Sequence, residues 1–105
     1  MKKYQVRFRP LAEADLFKLH DYIAQHAGLN VAGDYIGRLE AACAALETFP
    51  LRGTSRGHIR PGLRTIGFER RATIAFQVRK TDVVIVRVLY GGQDFEHALR
   101  KNGEE

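Results

Sequence analysis

The sequence predicts an α+β fold in which an antiparallel helical hairpin packs on one face of a mainly antiparallel sheet. Three observations predict it: residues 4–9 alternate apolar with polar side chains, residues 11–49 repeat apolar side chains every three or four positions, and residues 63–90 return to strand patterns. One strand, two helices and then a three-stranded antiparallel meander place the hairpin over one side of the sheet. With 105 residues the chain predicts a single domain, residues 1–105.

The spacing of the apolar residues predicts the first strand and the first helix. Tyr4, Val6 and Phe8 alternate with polar residues, as in a half-buried strand. Pro10 ends the strand and suits the first turn of a helix. Gly28 is a natural C-terminal cap. Between them the apolar residues form one helical stripe: Ala12, Leu16, Leu19, Ile23 and Ala27.

The second helix is predicted from Asn30, as its N-cap, to the Phe49-Pro50 pair. Two helices joined by so short a connection must run antiparallel as a hairpin. The acids of the two helices are interpreted as solvated outer surface. The apolar stripe of the second helix is Ala32, Tyr35, Ile36, Leu39, Cys43 and Leu46, and the acids of both helices are Glu13, Asp15, Asp21, Asp34, Glu40 and Glu47.

Three strands are predicted in the second half of the chain. Leu63–Phe68 has a short, weak strand pattern, and Arg70–Arg79 alternates more clearly. Val83–Tyr90 is apolar on both faces apart from Arg87, which is typical of a central strand. Asp94–Lys101 predicts a last short helix, with residues 97–105 as a flexible tail.

The helices can shield only one face of this sheet. The other face is therefore predicted to stay uncovered, and an uncovered polar sheet face or groove can receive an extended peptide or a helix from a partner. The residues expected to share it are Arg7, Arg9, Arg71, Thr73, Gln77 and Arg79.

The composition predicts an ordinary globular protein, with 45% apolar and 28% charged residues. The lone cysteine, Cys43, lies among alanines and is predicted to be a core residue. The start of the chain lacks the apolar segment of roughly 7–15 residues that a signal peptide needs. No run approaches the ~20 apolar residues of a membrane span. These features predict a cytoplasmic protein that does not contact membranes.

Charge is divided sharply along the chain. Residues 50–79 hold seven arginines, no lysine and one acid, whereas residues 11–49 hold two bases and six acids, and the net charge is +5. Such a division predicts an anionic partner on one face: nucleic acid, an acidic protein or an anionic surface. Arginine, more than lysine, favours bidentate contact with a carboxylate or phosphate.

Four of these arginines recur every four residues, but glycines and Pro61 prevent the segment from forming a helix. A loop of this composition has two interpretations. Its guanidinium groups either order the loop by bonding backbone carbonyls or bind an anion. The four residues are Arg52, Arg56, Arg60 and Arg64.

The sequence offers little for metal or cofactor chemistry. Its four histidines are scattered, no nucleotide-binding glycine motif is present, and no serine lies at a nucleophile elbow. We therefore predict no cofactor and no metal site.

An RNA-cleaving site could still be built from the arginines. Arg71 with Arg79 or Arg87 could stabilise charge on phosphorus, while Tyr90 or His97 moves protons. The strand that carries Arg71 and Arg79 has no carboxylate or histidine to act as the general base. The competing interpretation is that these arginines bind an acidic partner segment and Tyr90 packs at a strand end.

Several blocks resemble the ParE branch of the RelE/ParE toxins, the toxin components of type II toxin–antitoxin modules. The likeness runs from Tyr4 to about Glu96, and the order and spacing of the blocks are specific. The blocks are Tyr4-x-Val6-x-Phe8-x-Pro10-x-Ala12-x-x-Asp15-Leu16, Asp21-Tyr22-Ile23, Phe49-Pro50-x-Arg52-Gly53, Pro61-Gly62-Leu63-Arg64, Arg71-x-x-Ile74-x-Phe76 and Val88-Leu89-Tyr90-Gly91-Gly92-x-Asp94.

The resemblance implies the same RelE/ParE-like fold and a cognate acidic antitoxin. That antitoxin is expected to be ParD-like, with a ribbon-helix-helix DNA-binding end and a C-terminal segment that wraps the toxin beside the sheet. ParE-like toxins are associated with inhibition of DNA gyrase and are not enzymes. RelE-like toxins cleave mRNA on the ribosome.

The net acidic helices would repel ribosomal RNA, which favours the ParE branch. We therefore expect a non-enzymatic, gyrase-directed toxin in a hetero-oligomer with its antitoxin. The alternatives are a ribosome-dependent endoribonuclease that uses Arg71, Arg87 and Tyr90, and a non-toxic homologue that still binds antitoxin. The residues expected to bind antitoxin or target are Arg52, Arg56, Arg60, Arg64, Arg71 and Arg79.

Overall fold

A computed structural model describes residues 3–91 and 98–99 and has the predicted α+β architecture. A five-stranded sheet has the order β1-β5-β4-β3-β2, and two helices pack on one face. The elements are β1 Gln5–Phe8, α1 Pro10–Ala27, α2 Leu29–Ala44, a 3₁₀ helix Ala45–Glu47, β2 Thr54–Ser55, β3 Leu63–Phe68, β4 Ala72–Val78 and β5 Asp82–Tyr90.

The central position of β5 explains its sequence. It lies between β1, with which it pairs in parallel, and β4, with which it pairs antiparallel. Both of its edges are therefore paired, and its residues are buried on both faces of the sheet, as its continuous apolar run predicted. The parallel partner and the two-residue β2 are additions to the predicted meander.

The helical hairpin turns on a single residue. Gly28 has a φ of 98°, ends α1 and directly precedes α2. Pro10 starts α1 as predicted, but the prediction that Asn30 caps α2 is wrong. The second helix begins at Leu29, so Asn30 already lies inside it, and no side chain caps this end.

Two apolar clusters lie on opposite sides of the sheet. The larger joins the helices to the sheet through residues such as Leu39, Phe76 and Ile85, all fully buried. The smaller lies on the other face and consists of Leu63, Ala75, Val86 and Leu99, with Ile59 packed against it. The prediction that this face is uncovered is therefore wrong over its centre, because its apolar side chains are removed from water.

A bulge in β5 changes the direction of its side chains. Ala75 pairs with Arg87 and Phe76 pairs with Ile85, so Val86 is an extra residue on β5. Before the bulge Val83 and Ile85 face the helices, and after it Val88 does so. Bulges re-aim side chains in this way.

The predicted last helix, Asp94–Lys101, falls mostly outside the described residues. Ala98 and Leu99 have helical backbone. His97 and the rest of the predicted tail lie outside the described part of the chain. Among the described helices, neither is long and apolar enough to cross a membrane.

Candidate functional site

The segment between α2 and β3 is ordered in part by its own arginines. Arg52 donates from Nε to the carbonyl oxygen of Phe49 at 2.9 Å, and Arg64 donates from Nε to the carbonyl of Arg52 at 2.9 Å. The arginines thus satisfy carbonyls that no sheet ladder reaches. Of the two interpretations of this loop, bonding to backbone carbonyls is the one present in the structure.

The other two loop arginines turn towards the sheet. Arg56 donates to the hydroxyl of Thr65 at 3.0 Å, and Arg60 donates to the carbonyl of Leu99 at 3.4 Å. Burial lowers the pKa of the Arg60 guanidinium, and the nearby charge of Arg9 lowers this pKa further. The loop therefore brings the Arg60 guanidinium close to Arg9, the residue that follows β1.

Two glycines let this loop lie against the sheet. Gly53 and Gly62 have φ of 77° and 81°. A β-carbon at Gly53 would collide with the carbonyl oxygen of Thr65, and one at Gly62 would lie 2.8 Å from the carbonyl oxygen of Val78. Only glycine combines this backbone with so close an approach.

A basic pocket lies beside β1 on the face away from the helices. It has a volume of about 210 Å³ and is lined by Arg7, Arg9 and Arg79, with Phe8, Pro10 and Val84 completing the wall. Asp82 lies 2.8 Å from Arg7 and 4.0 Å from Arg79. One carboxylate thus accompanies three arginines, and this pocket, hereafter the basic pocket, has an excess of positive charge.

Arg71 does not share this face with Arg79, contrary to prediction. β4 begins at Ala72, so Arg71 belongs to the preceding turn and strand alternation does not fix its direction. Arg71 instead lines a groove of about 500 Å³ on the helix side of the sheet. This groove, hereafter the tyrosine groove, is also lined by Asp15, Lys18, Leu19, Tyr22, Arg87, Val88, Tyr90 and Gly91.

Arg87 forms an ion pair within the tyrosine groove. Its Nε and Nη2 donate to the two carboxylate oxygens of Asp15 at 2.8 and 2.9 Å. The backbone N–H of Val88 donates to the same carboxylate at 2.9 Å. The side chains of Arg87 and Asp15 are only 12% and 11% exposed, so this ion pair neutralises the charge of Arg87 in a partly buried place.

Asp15 thus lines the candidate site, although the sequence analysis assigned it to the solvated surface, which is wrong. Its spacing carried the correct signal, because it follows Ala12 by three residues and precedes Leu19 by four, on the apolar stripe. An acid on such a stripe needs a buried partner. Its partner could not be found from the sequence, because Asp15 and Arg87 lie 72 residues apart in the chain.

An aromatic cluster forms the far end of the tyrosine groove. The ring of Tyr90 lies 6.0 Å from that of Tyr22 and 6.3 Å from that of Tyr35. The Tyr35 hydroxyl is buried, and no described residue offers it a hydrogen bond. Burial raises the pKa of Tyr35, and Tyr90 raises it further, so the buried group stays a neutral phenol.

An ion pair joins α2 to the β3–β4 turn next to this cluster. Arg38 donates from Nε and Nη2 to the carboxylate of Glu69 at 2.8 and 3.0 Å. The hydrogen bond from Arg38 lowers the pKa of Glu69. Glu69 and Arg70 have positive φ, 48° and 65°, as both central residues of a tight hairpin turn do.

Comparison with known proteins decides the family. Residues 6–95 match the sequence profile of the ParE toxin of the type II toxin–antitoxin system parDE. The chain belongs to the ParE toxin family. It is 31% identical over 96 residues to Toxin ParE3 of Caulobacter vibrioides, a match that covers 91% of this chain and 94% of the relative.

Two solved structures share the fold. The chromosomal ParDE toxin–antitoxin system of P. aeruginosa matches with a TM-score of 0.74 and 22% identity, covering 85% of this chain and 97% of that one. The toxin–antitoxin complex RelBE2 of Mycobacterium tuberculosis matches with a TM-score of 0.58 and 26% identity, covering 89% and 97%. The fold is therefore that of the RelE/ParE superfamily, as the sequence blocks predicted.

The tyrosine groove contains few groups that could act in catalysis. It does bring together the three residues of the nuclease alternative, Arg71, Arg87 and Tyr90. Only Arg71 among them is both exposed and without an ion pair to a described carboxylate. Asp15, the carboxylate nearest the groove, already accepts three hydrogen bonds, which opposes its action as a general base.

Proposed function

We propose that this chain inhibits DNA gyrase in the cytoplasm as the toxin of a type II toxin–antitoxin system, without being an enzyme. Membership of the ParE family supports the toxin role. The observation that favours a non-enzymatic action is the Asp15–Arg87 ion pair, which neutralises one of the two arginines of the groove. Transition-state stabilisation needs donors aimed at the developing charge, and Arg87 is aimed at Asp15.

We further propose that a cognate acidic antitoxin, ParD-like with a ribbon-helix-helix end, neutralises the toxin in a hetero-oligomer. The excess of arginine supports such a partner, because acidic side chains would complement it. Each guanidinium has five N–H donors, so the internal bonds of the loop arginines leave donors for a partner. The proposed contacts are Arg52, Arg56, Arg60, Arg64, Arg71 and Arg79.

The basic pocket and the tyrosine groove hold different members of this set. Arg79 lines the first and Arg71 the second. An antitoxin that contacts both must therefore pass around the sheet, which fits a wrapping C-terminal segment.

Endoribonuclease activity is the second candidate, and a specific observation favours it. Arg71, Arg87 and Tyr90 come from separate parts of the sequence but line one groove. The fold is also shared by a chain of the toxin–antitoxin complex RelBE2. In this candidate Tyr90 would transfer a proton and Arg71 would bind phosphate.

Induction of the protein alone separates these functions. We expect filamentation and DNA-damage signalling with intact mRNA, and purified protein should inhibit supercoiling by gyrase. Rapid cleavage of transcripts at ribosome-bound codons would instead establish the nuclease. No effect on growth or on supercoiling would contradict toxicity and favour a non-toxic, antitoxin-binding homologue.

The variant Tyr90→Phe distinguishes a gyrase inhibitor from an endoribonuclease. It keeps the ring that packs against Tyr22 and Tyr35 and removes only the hydroxyl. The gyrase proposal predicts inhibition within about two-fold of the original protein. Loss of a general acid or base would lower a nuclease rate by about 100-fold or more. Tyr22→Phe, which removes a hydroxyl from the same groove, is the matched control.

A further inference from the structure

The outer edge of β1 has backbone groups available for pairing. β1 is the first strand in the order of the sheet, with β5 on one side only. The N–H groups of Gln5 and Arg9 donate to Thr81 and Ile85, towards β5. Because successive residues of a strand point their N–H groups in opposite directions, those of Val6 and Phe8 point outwards.

This open edge is short and has a defined start. The N–H of Tyr4 also points away from β5, but it donates to the carbonyl of Glu47 at 2.7 Å. The 3₁₀ helix thus occupies the edge at Tyr4, and the edge is open beyond it among the described residues. Two residues offer at most four backbone hydrogen bonds, so side chains must supply much of any affinity.

Two pockets of opposite character flank the same edge. On the helix side lies an apolar groove of about 440 Å³, whose apolar wall is Phe8, Leu16, Phe17 and Ile36. Phe17 is 75% exposed. On the other side lies the basic pocket, and Phe8 lines both. A chain that lies along β1 would therefore meet apolar surface on one face and arginines on the other.

The charges around the pockets fix which face would receive acids. Glu13 and Glu40 line the apolar groove and would repel an acidic side chain there. The basic pocket has Arg7, Arg9 and Arg79 against Asp82, and Arg60 lies near enough to Arg9 for their charges to interact. Acidic side chains therefore fit only the face away from the helices.

We propose that an extended segment of the antitoxin adds to β1 as a further strand of the sheet. Directly opposite residues of paired strands project to the same face. Residues opposite Val6 and Phe8 would be apolar and enter the apolar groove, while the residue opposite Arg7 would be acidic and enter the basic pocket. The segment is thus an alternation of apolar and acidic residues. The partner's identity rests on the proposed function, but the docking mode rests on β1.

A synthetic peptide can test this docking mode without the antitoxin. The probe is a blocked peptide of about eight residues that alternates glutamate with valine and leucine. The control has the same composition with its glutamates grouped at one end. We expect the alternating peptide to bind at least about ten-fold more tightly. In NMR amide exchange it should slow Val6 and Phe8 by at least about ten-fold. The N–H groups of Gln5 and Arg9, already bonded to β5, are the internal reference.

Variants test the contribution of the arginines. The double variant Arg7→Gln/Arg79→Gln should weaken binding of the alternating peptide by about ten-fold. Arg70→Gln removes an exposed cation from the opposite end of β4 and should change binding by less than about two-fold. Thermal unfolding of each variant establishes that it is folded, and the exchange measurement needs no variant.

Several results would overturn the proposal. These are no binding of the alternating peptide, equal binding of the two peptides, or binding that leaves Val6 and Phe8 exchanging freely. Displacement of the peptide by a single-stranded oligonucleotide of similar length would assign these arginines to nucleic acid instead. None of these results bears on growth arrest or on gyrase inhibition, which are measured without a peptide, so the two proposals can fail separately.

Discussion

At the scale of single residues, whether an arginine can bind a partner depends on its own ion pairs more than on its exposure. Arg87 and Arg71 line the same groove, but Arg87 is held by Asp15 while Arg71 has no described carboxylate partner. A chain read only as sequence shows two equivalent cations at strand positions. The difference arises because α1 places Asp15 within hydrogen-bonding distance of both the Arg87 guanidinium and the Val88 N–H.

We predict that Asp15→Ala lowers the free energy of unfolding by about 3 kcal/mol, because it leaves the Arg87 charge partly buried and unpaired. Chemical denaturation measures this change. Asp21→Ala, which removes an acid with a 78% exposed side chain, should change it by less than about 0.5 kcal/mol. The double variant Asp15→Ala/Arg87→Met should be more stable than Asp15→Ala alone. Additive losses in the double variant would contradict the pairing.

At the scale of elements, periodicity predicted the strands and helices whose faces differ in polarity. The apolar run of β5 and the stripe of α1 are such cases, and so is Cys43, which is fully buried with burial raising its thiol pKa to about 12. Elements that are held in place by backbone hydrogen bonds show no such difference in polarity in their sequences. The two residues of β2 are held by pairing with β3, and α2 starts without a side-chain cap.

The Arg38–Glu69 ion pair predicts how stability depends on pH. The pKa of Glu69 is lowered in the folded protein by the hydrogen bond from Arg38. Its contribution is therefore fully present above the unfolded pKa of about 4.3 and is lost as pH falls through the lower folded value.

We expect Glu69→Gln to be less stable than the original protein at pH 7, and the two to converge towards pH 3. Denaturation curves across this range measure the difference. Glu40→Gln removes an exposed acid that no described cation bonds. At neutral pH this variant should lose less stability than Glu69→Gln. A gap between the original protein and Glu69→Gln that widens on acidification would contradict the role of Glu69.

At the scale of the whole molecule, the site depends on contacts between distant parts of the chain. The basic pocket takes Arg7 from β1, Arg9 from the residue between β1 and α1, and Arg79 from the β4–β5 turn. The parallel pairing of β1 with β5 brings them together. Strand alternation predicted that Arg7, Arg9 and Arg79 share one face, but not that they line one pocket. That arrangement follows from strand order, which alternation along one strand does not specify.

The same pairing predicts that β1 is essential to the sheet. A chain that begins at Pro10 would expose one edge and part of both faces of β5, whose residues Val83 and Ile85 are fully buried. Such a long apolar edge favours aggregation. We expect this truncation to lose the cooperative thermal transition and to become poorly soluble, whereas a chain that begins at Tyr4 should keep the transition. Circular dichroism and sedimentation measure the outcome. A soluble truncated protein that melts cooperatively at the original temperature would show that β5 does not need β1, and the edge proposed for antitoxin docking would then lose its structural basis.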